Sequence, residues 1–139
     1  MSRKRVAVAA GILRAQDGRI LLSERLGDSP FAGLWEFPGG KLKRGESPRA
    51  ALLRELDEEL GIRVLEASHF LRLEHDYEHL DVALEFFLVH AWRGTPAGRD
   101  GQALAWRHPH AIDAAELLPA DGPVLDRLRA EAGGKLSRY

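Results

Sequence analysis

The stretch that decides the reading is Gly40-Lys-Leu-Lys-Arg-Gly-Glu46-Ser-Pro-Arg-Ala-Ala-Leu-Leu-Arg54-Glu55-Leu56-Asp57-Glu58-Glu59-Leu60-Gly61-Ile62. Ser47-Pro48 is a helix start, with serine as N-cap and proline at the first helical position, where its missing N–H costs nothing. Gly61 is the matching stop. At about 100° per residue, Leu52, Leu53, Leu56 and Leu60 share an arc that should face a core, and Glu55, Glu58 and Glu59 fall on the neighbouring arc. Asp57 points away from that acidic group.

Carboxylates at i,i+3 and i,i+4 repel by about 0.2–0.5 kcal/mol per pair. An acidic helix face can simply be solvated. A hard cation reverses the cost, since Mg²⁺ prefers carboxylate, water and phosphate oxygens. What precedes the helix favours the second reading. Pro38-Gly39-Gly40 permits a sharp bend and a close approach of backbone carbonyl to a metal. Lys41, Lys43 and Arg44 follow, with positive charge where a polyphosphate would lie. Carboxylate-held Mg²⁺ beside basic groups suits phosphoryl or pyrophosphoryl chemistry.

Outward from this stretch, the chain reads as a single α/β domain over residues 1–139. Arg5–Arg14 is a buried strand, Asp17-Gly18 a hairpin turn and Arg19–Arg25 the returning strand. Gly27–Gly33 is a loop and Leu34–Phe37 a short strand. Arg63–Tyr77 and Leu80–Trp92 are long strands. A Gly/Pro loop over Arg93–Gly101 precedes a strand at Ala103–Arg107, a short helical segment at His110–Leu118 and a last helix from Pro123 to Ala132. The 139 residues carry a net charge of -1, which gives no footing for a nucleic-acid backbone or an anionic membrane. There is no cysteine, hence no disulfide, thiol nucleophile or Cys-ligated zinc, as suits a cytoplasmic protein. No apolar run is long enough to span a bilayer. The six histidines show no zinc-site spacing, and Arg127 and Arg129 read as a solvated helix face.

The quoted stretch resembles the Nudix box, Gly-x₅-Glu-x₇-Arg-Glu-U-x-Glu-Glu-x-Gly-U with U apolar. Gly40, Glu46, Arg54, Glu55, Leu56, Glu58, Glu59, Gly61 and Ile62 match without departure. Seven of these are fixed non-apolar positions, so chance agreement is on the order of one in 10⁸ per starting position. The resemblance implies a Nudix-type α/β/α sandwich with a mixed sheet. It implies a Mg²⁺ site, with Mn²⁺ as a possible substitute, on Glu55, Glu58, Glu59 and the Gly39 or Gly40 carbonyl. Glu55 would be a ligand or the general base, Arg54 would orient a glutamate by an ion pair, and Glu46 would brace the loop. The chemistry would be in-line attack of water on phosphorus, with no covalent intermediate on the protein.

Beyond the box, the chain is similar to MutT-type 8-oxo-dGTP diphosphatases. The lead-in Trp35-Glu36-Phe37-Pro38-Gly39-Gly40-Lys41, Arg25, Gly101-Gln102 with Trp106, and Pro119-Ala120-Asp121-Gly122-Pro123-Val124 carry that likeness. It implies a nucleoside triphosphate substrate and a monomer that binds neither nucleic acid nor membrane directly. Arg25, Glu36, Phe37, Pro38, Lys41, Tyr77 and Asp121 would contact the nucleotide, and Asp100 would stand as a further acidic group near the metal. Bland alternatives stand beside these: Arg25 closes a strand, Phe37 is core, and Asp100 is a turn residue. One departure concerns the base. Those enzymes carry Asn where this chain has Asp121. An ionised Asp accepts the N7-H of 8-oxoguanine but repels O6, whereas a protonated one donates as well. Asp121 could instead only cap the last helix. The alternatives are a Nudix enzyme acting on another diphosphate (a dNTP, CTP, a dinucleoside polyphosphate or ADP-ribose) and a non-catalytic Nudix-fold recognition module. The latter would be expected to lose box glutamates, all of which are present here.

Overall fold

The computed structural model describes residues 4–28, 31–78 and 80–136, with side chains through residue 131. His79 and residues 29–30 of the Gly27–Gly33 loop lie outside the described residues. In chain order the elements are β1 (Lys4–Leu13), β2 (Ile20–Glu24), β3 (Trp35–Glu36), β4 (Gly39–Lys41), α1 (Pro48–Leu60), β5 (Arg63–Tyr77), β6 (Leu80–Arg93) and β7 (Leu104–Arg107). Three single 3₁₀ turns follow at Pro109–Ala111, Ala114–Glu116 and Pro119–Asp121, and α2 spans Gly122–Leu136.

The capping signals around α1 act as the sequence predicts. Ser47 Oγ accepts from Ala50 N at 3.1 Å, and Gly61 closes the helix with φ 70, donating its N–H to Asp57 O. That left-handed backbone favours glycine.

The Asp17-Gly18 turn does reverse the chain, with Ala15 N donating to Arg19 O at 2.8 Å. The expected hairpin does not follow. After an isolated bridge between Arg14 and Ile20 the two strands part into different sheets. β1 lies between β4 (antiparallel) and β6 (parallel) in a mixed sheet of order β4-β1-β6-β5. β2 lies between β3 and β7 in a small antiparallel sheet.

Both faces of this β layer are covered, which is why β1 reads as an unbroken apolar run rather than an alternating one. Ala9 and Leu13 face α1 together with Leu52, Leu56, Leu60, Phe87 and Val89. Ala10 and Ile12 face the opposite side with Phe86, Val124, Leu125 and Leu128, against α2. Each fully buried leucine of α1 contributes about 2 kcal/mol of apolar burial. Leu53 does not share in this: it is 39% exposed, one position too far round the helix.

Further expectations need correction or refinement. The bend expected in Pro38-Gly39-Gly40 falls at Pro38, while Gly39 and Gly40 lie in extended β4, paired with Ala10 and Ala9. The His110–Leu118 segment is two separate 3₁₀ turns, each opened by its own cue, Pro109 or the Asp113 side chain accepting from Ala115 N. α2 continues past Ala132 through Gly133 to Leu136. Arg127 is exposed, as expected of a solvated face, and Arg129 is half-buried, but both also tie α2 to its neighbours. Arg127 donates to Phe70 O with its guanidinium 4.4 Å from the Phe70 ring centroid, and Arg129 donates to the Pro109 and Ile112 carbonyls.

Candidate active site

The centre of the box is one guanidinium. Arg54 meets Glu46 in a fork, Nε to Oε2 and Nη2 to Oε1, each at 2.8 Å. Its Nη1 donates to Glu55 Oε1 at 2.8 Å and to Glu58 Oε2 at 3.2 Å, and its Nη2 also donates to Lys41 O at 3.0 Å. One planar donor group therefore fixes the loop before α1, the β4 backbone and two glutamates of α1. Glu46 also accepts from Lys43 N at 2.9 Å. Its two hydrogen-bonding partners, Arg54 first, hold its carboxyl down to about 2.

Glu55 is squeezed between this guanidinium and the β4 backbone. A side chain at Gly40 would begin 2.6 Å from Glu55 Oε1, and one at Gly39 would strike the β1 backbone. The two glycines thus serve close approach rather than bending. Glu59 lies one turn further along α1. Burial first, then the charge of Glu55 and a hydrogen bond shared with it, push the Glu59 carboxyl up to about 8. The facing carboxylates and nearby β4 backbone are oxygen donors of the kind a hard divalent cation takes. Among the described residues no three His, Asp or Glu side chains are grouped so as to hold a metal ion by themselves. An open, oxygen-rich site fits a cation that keeps water and phosphate among its ligands. Glu58 is the outlying member of the acidic face, its side chain 53% exposed.

Two cavities meet beside this network. One of about 220 Å³ is lined by Glu59, Asp100, Gln102, Pro38, Arg25 and Glu36 among others. The other, of about 400 Å³, is largely apolar and is lined by Val8, Phe37, Tyr77, Leu84, Leu118 and Asp121, with Lys41, Arg25 and Glu36 at its polar side. Lys43 and Arg44, expected with Lys41, line neither. Arg25 Nη1 lies 3.2 Å from Glu36 Oε1. Phe37 is both core and cavity wall, 2% exposed.

Asp121 is 3% exposed in that wall. Its Oδ2 accepts from Phe37 N at 3.2 Å, across the fold from its own helix. Burial, with the Glu36 charge adding to it, pushes its carboxyl up to about 8 against the opposing pull of the Phe37 N–H and Arg25. Tyr77 steadies the same turn: its hydroxyl accepts from Ala120 N at 3.3 Å, and its ring centroid is 5.1 Å from that of Phe31.

Sequence reasoning assigned no role to Gln102, which is 8% exposed. Its Nε2 donates to Glu59 O at 3.2 Å and its Oε1 accepts from Asp100 N at 2.9 Å, joining the end of α1 to the loop that carries Asp100. A glutamine just after a Gly-Arg-Asp-Gly turn was the available signal. Leu118 was also missed; its partners are fixed only by the tertiary fold.

Comparison with known proteins agrees with this geometry. The NUDIX domain model matches residues 3–128. An 8-oxo-dGTP diphosphatase of Haemophilus influenzae is 44% identical over 131 residues, covering 94% of this chain and 96% of the relative. A CTP pyrophosphohydrolase of Escherichia coli is 39% identical over 127 residues, covering 91% and 93%. A MutT structure from work on Aliivibrio salmonicida and Vibrio cholerae aligns with a TM-score of 0.78 at 37% identity, covering 92% of this chain and 99% of that one. The α/β/α layering, the intact box and these relatives together place the chain in the Nudix hydrolase family.

Proposed function

We propose that the chain is a single-domain, monomeric, cytoplasmic Mg²⁺-dependent nucleoside triphosphate diphosphatase that hydrolyses 8-oxo-dGTP to 8-oxo-dGMP and pyrophosphate, keeping oxidised guanine out of DNA. The observation that carries the base assignment is Asp121, buried in the wall of the larger cavity with its carboxyl pushed up to about 8. Near neutral pH such a group is a neutral acid. Its hydroxyl donates to O6 while the other oxygen, already holding Phe37 N–H, has a second lone pair for N7-H. The oxidised base has that N7-H and guanine lacks it. Asp121 thereby offers what an Asn would offer, by a different chemistry.

Glu55, Glu59 and the β4 carbonyls of Gly39 and Gly40 would hold the metal, with Glu58 and Asp100 completing the acidic surround. Bound Mg²⁺ supplies Lewis-acid neutralisation of phosphate charge and a lower pKa for coordinated water, and Mn²⁺ can do the same. A box glutamate takes the proton from the attacking water, and pyrophosphate leaves in line. Arg54 holds Glu55 in place; Arg25, which lines both cavities, faces the phosphates, Lys41 adds positive charge to the larger cavity, Pro38 fixes the segment between, and Phe37 and Tyr77 border the base. The recognition-module alternative does not sit with a complete box.

The deciding experiment ranks kcat/KM over a nucleotide panel with Mg²⁺, resolving products as monophosphate and pyrophosphate. 8-oxo-dGTP is expected first; a dNTP, CTP or ADP-ribose ranking above it sinks the substrate assignment. A second reading, CTP hydrolysis, draws on the 39% identical relative of that name. Asp121 would then accept from the cytosine amino group.

A further inference from the structure

The two cavities share three lining residues, Arg25, Glu36 and Gly39. A nucleotide is a fixed succession of base, sugar and phosphates. On the function proposed above, on which this inference rests, the base fills the cavity at Asp121 and the phosphates lie beside Glu59 and Asp100. The sugar must then cross the shared wall. Gly39 offers it no side chain, Arg25 offers only donors, and an ionised Glu36 offers only acceptors.

Glu36 is held for such a role. Its side chain is 21% exposed, and Arg25 Nη1 stands 3.2 and 3.5 Å from its two oxygens. One nitrogen on a group with about four lone-pair sites leaves acceptor capacity over. Burial raises the Glu36 carboxyl while the Arg25 charge offsets it. An acceptor-only group at this wall repels phosphate and is satisfied by a hydroxyl. We infer that Glu36 reads the sugar, its carboxylate accepting a hydrogen bond from a ribose or deoxyribose hydroxyl while Arg25 holds it and turns its spare donors to the α-phosphate. The same pair sets the polarity of binding, because a nucleotide entered the wrong way round brings phosphate against Glu36.

The test compares kcat/KM on the ribo, 2′-deoxy and 2′,3′-dideoxy forms of whichever base the panel ranks first, for wild type, Glu36→Gln and Glu36→Met. Loss of the hydroxyl that is read should cost wild type about tenfold, the worth of one charge-assisted hydrogen bond. That penalty should vanish in Glu36→Met and shrink severalfold in Glu36→Gln, whose amide oxygen still accepts. Equal rates on all three sugars in wild type, or an unchanged penalty in the variants, overturns the inference and leaves the reaction and base reading standing. Hydrolysis of no nucleotide at all overturns both. If Glu36→Met fails to fold by circular dichroism, the wild-type series with Glu36→Gln decides.

Discussion

The two cavities that meet at Glu36 differ in character. The smaller one is walled by the end of β2, the Glu36–Gly39 segment, Glu59 and the Asp100–Gln102 loop, and through Glu59 it adjoins a charge network drawn from a single run of chain. Glu46, Arg54, Glu55, Glu58 and Glu59 lie within fourteen consecutive positions, and one guanidinium ties four of their contacts together. The larger is assembled from β1, the Trp35–Lys41 segment, the β5–β6 hairpin and the Leu118–Asp121 turn, which meet only in the folded chain. On the proposed function the chemical half rests on that local, charged network, and the recognition half is long-range and mostly apolar. Substitutions in one should therefore change turnover, and in the other the choice of base, with little leakage between them.

Glu59→Gln is the largest expected break. Replacing this half-buried carboxyl, which lines the smaller cavity, should lower kcat on the order of 10³-fold, the range of a lost general base or comparable group. Nucleotide affinity, measured by calorimetry on the metal-loaded variant, should move much less. Full activity in this variant would show that the charged half is not the chemical one.

Asp121→Asn tests the other half, with two readouts. The carboxyl of Asp121 is raised from an ordinary 3.8 to about 8. The unfolded chain therefore ionises first, the folded state binds more protons between those values, and Asp121 costs stability progressively as pH rises from about 4 to 8. The variant should be more stable than wild type at pH 8 by on the order of a few kcal/mol. In denaturant titrations the gap should close as pH falls toward 4. The wild-type preference for 8-oxo-dGTP over CTP should fall as pH rises through about 8, when Asp121 loses the proton it donates to O6, and the variant should lose that dependence. Parallel pH profiles for the two proteins would remove Asp121 from base recognition.

The smallest effect is structural. Ser47→Ala removes the acceptor for Ala50 N and should cost about 1 kcal/mol by denaturant titration. If kcat falls more than stability explains, the start of α1 is part of the chemical half rather than its support.

The same contrast explains what could be read from the amino-acid sequence. α1, its caps and its acidic arc were legible because helical period and capping chemistry act within a few residues. Of the two long strands, β6 was legible from its apolar residues. The parting of β1 from β2 was not, since the Asp-Gly turn has the same local chemistry whether or not the strands go on to pair. The position of Asp121 as a cavity wall, bonded to Phe37 across 84 positions, could be suggested by family likeness but not by any local pattern. The ties that Arg127 and Arg129 make were not legible, because backbone acceptors of neighbouring elements leave no mark on a helix's own sequence. Gln102 went unassigned because its two partners are a helix-end carbonyl and a turn amide.

The segment from Trp35 to Lys41 is pinned along its length. Leu118 N holds Trp35 O, Asp121 holds Phe37 N, Gly11 N holds Pro38 O at 2.8 Å, and Gly39 to Lys41 register against Ala10 to Val8. Its Glu36-Phe37 part lines the apolar cavity and Gly40 lies against Glu55. On the proposed function it acts as a ruler, spacing the base edge from the phosphorus by a fixed length of chain that bends at Pro38. Exchanging one base for another then alters how long a nucleotide dwells, but not which bond comes to rest under the glutamates.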